Sequence, residues 1–272
     1  MSQKLIANYH THTKRCGHAS GTDREYIEAA LSIGLTVLGF SDHMPWPGNV
    51  YGIEHSRMAF SELDDYFTSL TALQREYRGQ IEIHIGFEAE NFDRMPQQLR
   101  LLEDYPCEYM ILGHHFSGIC ENGVYFGRPF SDPAMLECYT ASVIDGLRSG
   151  VFLYLAHPDL PCWTGDPALF DSAADRICKV AKEENIPLEV NVLGRRTHRN
   201  YPSETFFRHA AANGCSLCIG LDAHAPEQFT EPGVIEEAMT FAESFGCPIV
   251  QHFDFPAHCA TTYPAKAGAA NG

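Results

Sequence analysis

The chain has 272 residues, 44% of them hydrophobic and 20% charged, a globular composition with enough apolar material for one large α/β core. Its formal net charge of −16 excludes a nucleic-acid backbone as the main partner, because phosphate chains are gripped by a cationic footprint. Ten cysteines in a chain this long, with no apolar run of about 18 residues and no leader-like segment after Met1, predict buried thiols in a reducing cytoplasm, not a disulfide scaffold or a membrane protein.

An apolar run over 5–9 predicts the first strand, which ends in His10-Thr11-His12. Side chains alternate along a strand, so these two histidines share a face. Thr22-Asp23-Arg24-Glu25 matches a capping box and starts an amphipathic helix that stops at Gly34. A second strand over 35–40 ends in Ser41-Asp42-His43, and a helix over 61–78 follows. The third strand, 81–87, ends at Glu88; a helix over 96–102 leads to a fourth strand, 109–112, which ends at His114 and His115. An excursion rich in glycine and aromatics, 116–130, is expected to fold over the mouth of a site. Then come a helix over 133–148, a strand over 151–155 ending at His157, a helix over 167–184, a strand over 188–191 and a helix over 203–213. The last strand, 215–221, ends at Asp222 and His224, and a helix over 232–245 completes the series. Cys215 and Cys218 have redox spacing, but they lie inside that apolar run and are expected in the core. No linker or repeat divides the chain: residues 1–264 read as one domain and 265–272 as a disordered tail.

Seven strands in strict β-then-α order argue for a parallel sheet with right-handed crossovers. Ligand-type residues follow at least six of the seven strands. An open sheet gathers ligands near one switch point, whereas a barrel brings every strand end to one mouth, so the spread favours a (β/α)7 barrel of TIM-barrel type.

The candidate metal ligands are His10, His12, His18, His43, Glu88, His115, His157, Asp222 and His224, which include seven of the fourteen histidines. Imidazoles and carboxylates together suit zinc, iron or manganese. Nine donors exceed one tetrahedral ion and suit two or three ions sharing a bridging carboxylate, a centre that activates water near neutral pH and neutralises phosphoryl oxygens. Asp42 belongs to the candidate catalytic set, and its place beside His43 suits orienting a ligand better than donating a proton. Arg195 and Arg196 follow a strand end, where a guanidinium clamps phosphate in bidentate fashion; Arg196 is the candidate for both binding and transition-state stabilisation. The competing reading makes 195–199 a solvated cationic loop. His84, in mid-strand, reads as structural, and Glu90 and Asp159 read as surface charges.

Taken in order, His10-Thr-His12, Cys16-Gly-His18-Ala, Phe40-Ser-Asp-His43, Gly86-Phe-Glu88, Gly113-His-His115-Phe, Ala156-His157-Pro, Glu189-Val-Asn191 and Leu221-Asp222-Ala-His224 resemble the PHP (polymerase and histidinol phosphatase) family, and within it the stand-alone histidinol-phosphate phosphatases. The resemblance spans about residues 5–226. It implies a distorted (β/α)7 barrel with a trinuclear centre that hydrolyses a phosphomonoester, here L-histidinol phosphate in histidine biosynthesis. It also implies one ion held by His10, His12, Glu88 and Asp222, a second bridged by Glu88 and held by His115 and His157, and a third on His18, His43 and His224. Two positions depart from the family pattern: His114 stands where a small residue is usual, and Val192 replaces a hydroxyl residue in Asn191-Val-Leu-Gly194-Arg195-Arg196. The sequence leaves open a PHP phosphoesterase for another small phosphate or nucleotide, a non-catalytic metal-binding PHP module, and a metal-independent barrel enzyme.

Overall fold

The parallel strands form where the apolar runs are unbroken, and each hands the chain to a helix that covers it. A computed structural model describes residues 4–46, 56–92, 95–118 and 123–255; the expected tail over 265–272 and part of the 116–130 excursion lie outside the described residues. Strand β1 is Ala7–Asn8, β2 Val37–His43, β3 Glu82–Ala89 and β4 Tyr109–Leu112, and they pair in parallel in that order. Strands β5 (Leu188–Asn191) and β6 (Leu217–Gly220) form a second parallel pair.

The expected strand over 151–155 appears as single-residue bridges. Leu155 bridges Leu112 on one side and Leu188 on the other, and Leu153 N and Ala156 N donate to Met110 O and Leu112 O at 2.8 and 2.9 Å. This segment joins the two sheets, so the seventh ladder position is filled although its pairing is too short to count as a strand. Closure comes from Thr11 bridging Ala223 and Leu217 bridging Ile249, while Gln251 reaches back to Ile6 N with its side-chain oxygen, 2.7 Å away. The result is a distorted (β/α) barrel.

Strand β1 is short because the Asn8 side chain takes over its ladder. Its Oδ1 accepts from His10 N and Leu221 N, and its Nδ2 donates to Thr11 Oγ1 at 2.8 Å. Helix α1 (Asp23–Ser32) begins at the expected capping box: Thr22 accepts from Glu25 N while Glu25 returns to Thr22 N. Helices α2 (Leu63–Glu76), α3 (Met95–Leu101), α4 (Pro133–Leu147) and α5 (Pro167–Glu183) pack on the outside; Asp132 and Asp166 cap α4 and α5 directly before a proline in the first turn. A five-residue helix absent from the sequence reading, α6 (Val192–Arg196), follows β5 because Asn191 caps it, accepting from Gly194 N at 2.8 Å. Helices α7 (Glu204–Ala212) and α8 (Val234–Glu243) complete the shell.

At the N-terminal end of the barrel, the Phe253 and Phe255 rings pack on Tyr9, Tyr109 and Tyr154. Cys178, Cys215 and Cys218 are buried, as their apolar settings predict, and the eight described cysteines are free thiols. Among the described residues no helix is long and apolar enough to cross a membrane.

Candidate active site

Glu88, at the C-terminal end of β3, is the hub of the barrel mouth. It is 1% exposed, and five imidazoles approach its two oxygens: His157 Nε2 at 2.7 Å, His43 Nδ1 at 2.9 Å, His115 Nε2 at 3.3 Å, and His10 Nε2 and His12 Nε2 at 3.6 Å. Asp222, past the end of β6, faces His12 Nε2 at 3.1 Å, His10 Nε2 at 3.5 Å and His224 Nδ1 at 3.5 Å. His18 and His224 meet through their Nε2 atoms, 2.9 Å apart. All nine sequence-predicted donors therefore lie at one mouth, gathered from segments spread between residues 10 and 224. His157 and Asp222 adopt left-handed backbone conformations, φ 29° and 51°, a strained choice for residues other than glycine.

Behind these donors stands a ring of buried acceptors that aims them. Glu189 on β5 receives His10 Nδ1 at 2.7 Å, and its other oxygen accepts from His157 N and Asn191 Nδ2, each at 2.9 Å. Asn191 Nδ2 also donates to Asp222 at 3.1 Å. Asp42 is fully buried: its Oδ2 accepts from Thr13 N and Thr13 Oγ1, and its Oδ1 lies 3.5 Å from His12 Nδ1. It lies outside the lining of the site, so its place in the catalytic set gives way to that of an orienting group for His12 and the 13–16 turn. His114 is turned away from Glu88 and packs against Phe92, Phe126 and Tyr139, leaving His115 to face the hub.

The electrostatics follow from burial set against charge. Burial alone would raise the Glu88 carboxyl, but the imidazoles of His115, His43 and His10 outweigh it and hold it well below the usual carboxylate range. Burial pushes His43 well below its usual value despite the pull of Glu88, and pushes His224 down to about 3 with the help of the charge on His12. His18 is lowered by burial as well. Burial thus disfavours the protonated form of these three rings.

The donor set fits divalent ions on an independent observation. His10 Nε2, both ring nitrogens of His12 and Glu88 Oε2 are buried without a hydrogen-bond partner, and His18 and His224 set nitrogen against nitrogen. Buried polar atoms are normally satisfied. Divalent cations among these donors would satisfy the inward-facing atoms, while His12 Nδ1 is turned toward Asp42. The clusters His10–Glu88–His157, His10–His12–Asp222 and His12–His43–His224 each bring three donor atoms within 4.8 Å of one another.

In front of the donors is a cleft of ≈ 270 Å³. Its other walls are Ser56, Arg57, Phe116, Tyr125, Leu193, Arg199 and Tyr201. Phe116 and Tyr125 come from the 116–130 excursion, where they pair with each other in antiparallel fashion. The phosphate clamp expected at Arg195 and Arg196 is not here. Helix α6 turns both away from the cleft, Arg195 onto Glu237 at 3.4 Å and over the Phe241 ring, and Arg196 onto Glu231 at 3.6 Å. Arg199, three residues on, enters the cleft instead, its Nη1 donating to Tyr201 Oη at 2.7 Å. Sequence alone does not single out Arg199, because the turn that follows α6 decides which arginine faces the cleft. A larger hollow, ≈ 560 Å³, lies at the opposite end of β3, where His84 is already engaged by Glu108 at 2.7 Å and Glu82 at 3.0 Å.

Comparison with known proteins agrees with this geometry. The family model described as PHP domain matches residues 8–192. The histidinol-phosphatase of Bacillus subtilis is 33% identical over 248 residues, covering 79% of this chain and 92% of its own. The "Probable histidinol-phosphatase" of Deinococcus radiodurans is 32% identical over 240 residues, with 81% and 87% covered. Among solved structures, a histidinol phosphate phosphatase from Lactococcus lactis, complexed with zinc, L-histidinol and phosphate, superposes with a TM-score of 0.70 over 90% of this chain and 95% of that one, at 17% identity, which shows a shared fold. The barrel, the ligand-bearing strand ends and the match over 8–192 lead to one conclusion: the chain belongs to the PHP family.

Proposed function

We propose that this protein is a metal-dependent phosphomonoesterase that hydrolyses L-histidinol phosphate to L-histidinol and phosphate in the cytoplasm, using two or three zinc, iron or manganese ions. The observation that carries the proposal is the convergence of five imidazoles on the buried Glu88 carboxylate, at the floor of a cleft that also holds an arginine. Two relatives above 30% identity, named for histidinol phosphate hydrolysis, supply the substrate.

His10, His12, His18, His43, Glu88, His115, His157, Asp222 and His224 would hold the ions. Divalent ions held there would acidify water and neutralise a phosphoryl group. Everything else falls to the side chains. Glu189, through His10 Nδ1 and His157 N, keeps two ligands pointed at Glu88. Arg199 takes the role the sequence assigns to Arg196. Tyr201 pins its guanidinium at the cleft wall, leaving its remaining N–H groups for phosphate oxygens, where a positioned cation stabilises the charge that grows in phosphoryl transfer. Phe116, Tyr125, Leu193 and Tyr201 present an apolar wall for the substrate's imidazole ring. A cleft of ≈ 270 Å³ suits an ester of that size. The cysteines among the described residues, all free thiols, suit a reducing compartment.

The test is kcat/KM on L-histidinol phosphate against a panel of nucleoside monophosphates and sugar phosphates. A preference of at least about 100-fold, roughly 2.7 kcal/mol of differential transition-state binding, is expected. Equal or better turnover of a nucleotide would assign the site to another phosphate ester.

A further inference from the structure

Glu90, a surface charge on the sequence reading, is 1% exposed. It lies two residues beyond Glu88 and shares its face of the chain, so while Glu88 enters the cluster, Glu90 comes to the back of it. Its Oε2 accepts from Arg57 Nη2 at 2.9 Å. Its Oε1 faces His115 Nδ1 at 3.4 Å, and neither of these buried atoms has any other hydrogen-bond partner. On the far edge of the same imidazole, Nε2 faces Glu88 Oε1 at 3.3 Å. Arg57 is itself fixed: Nη1 donates to Met44 O at 3.2 Å, and the guanidinium lies over the Trp46 ring, 3.9 Å from its centroid.

We propose that Glu90 is a positioning residue: it takes the Nδ1 proton of His115 in a hydrogen bond, fixing the ring orientation and the tautomer whose Nε2 lone pair points into the cluster, while Arg57 holds the carboxylate in register. This rests on the metal-binding reading of the site. A carboxylate behind a ligating imidazole sets its tautomer and raises its basicity, and such partners govern metal affinity almost as strongly as the ligands. Two buried polar atoms that face each other and nothing else explain each other. Arg57, by occupying the second oxygen, leaves only Oε1 free for the ring. Glu90→Gln conserves size but breaks this arrangement, because a carboxamide has one acceptor oxygen. If that oxygen stays on Arg57, the amide N–H₂ faces Nδ1 and selects the tautomer with Nε2 protonated, which cannot ligate.

The experiment is a zinc titration of the full-length wild type and Glu90→Gln, each stripped of metal and compared by circular dichroism. The variant is expected to keep the wild-type spectrum and to bind one zinc per chain about 10- to 100-fold more weakly, the remaining sites being unchanged. A wild-type isotherm in Glu90→Gln would overturn the role of Glu90 alone, while a wild type that takes up no zinc would overturn the metal reading and this role with it. Should Glu90→Gln fail to fold, ¹⁵N-histidine NMR of the zinc-loaded wild type decides: His115 protonated at Nδ1 supports the proposal, and protonation at Nε2 overturns it.

Discussion

Gly113 stands so close to Glu88 that a β-carbon at position 113 would overlap the Glu88 carboxylate. The hub reaches the barrel mouth only because the neighbouring strand end carries no side chain there. Gly113→Ala is therefore expected to push Glu88 out of place. Overpacking of this kind costs about 1–3 kcal/mol of stability, and here it also displaces the shared oxygen. Thermal unfolding with a phosphate-release assay should show a modest stability loss and at least about a 100-fold fall in kcat/KM, since small misplacements at a reacting centre cost that much. Wild-type kcat/KM in Gly113→Ala would contradict the proposed hub.

Gly220 has the same relation to Glu189, whose carboxylate fills the space a β-carbon would need. Glu189→Gln is expected to weaken metal binding by about 10- to 100-fold, because it disturbs His10 Nδ1 and His157 N together. Competition against a chelator of known affinity measures this; unchanged affinity would reduce Glu189 to a packing residue.

Arginines 196 and 199 are separated by one turn of chain and by opposite expectations. Arg199→Ala should lower kcat/KM by about 10²- to 10³-fold, as loss of a positioned donor to developing charge does. Arg196→Ala removes a pair with Glu231 outside the cleft and a side chain that is only 15% exposed, so it should cost about 1 kcal/mol of stability and leave activity near wild type. Steady-state kinetics of the two variants side by side settle the assignment; a larger loss in Arg196→Ala would reverse it.

Much of the site was legible because a parallel barrel converts sequence position into spatial position. His10, His12, His43, Glu88, His115, His157, Asp222 and His224 each follow an apolar run, and the strand ends of a barrel meet. What could not be read depends on packing at longer range. Asn191 turns an expected loop into α6, which rotates Arg195 and Arg196 away from the cleft and brings Arg199 in. Glu90 and Asp159 look like surface charges in sequence, yet Arg57 covers the first and Ser203 N donates to the second inside the protein. The segment over 151–155 holds the expected place between β4 and β5, with its pairing reduced to bridges at Leu155.

Burial also predicts behaviour at high pH. Tyr26, Tyr66 and Tyr139 are buried, and desolvation raises each phenol above its ordinary value of 10.0. The folded state keeps these protons at a pH where the unfolded chain loses them. Their contribution is therefore complete below pH 10 and is lost as the pH rises beyond it, by about 1.4 kcal/mol per pH unit for each group. Urea midpoints measured from pH 8 to 11 should be level up to about pH 10 and then drop, with a shallower drop in Tyr26→Phe. A midpoint that stays level to pH 11 would contradict this.

On the proposed function, the buried Glu88 carboxylate holds a cluster of divalent ions together. Elemental analysis of purified Glu88→Ala beside the wild type tests it most directly. Two or three zinc, iron or manganese ions per wild-type chain are expected, with at least one fewer in the variant and loss of phosphate release. Equal metal content in the two proteins, or a wild type free of metal that still hydrolyses its substrate, would contradict it.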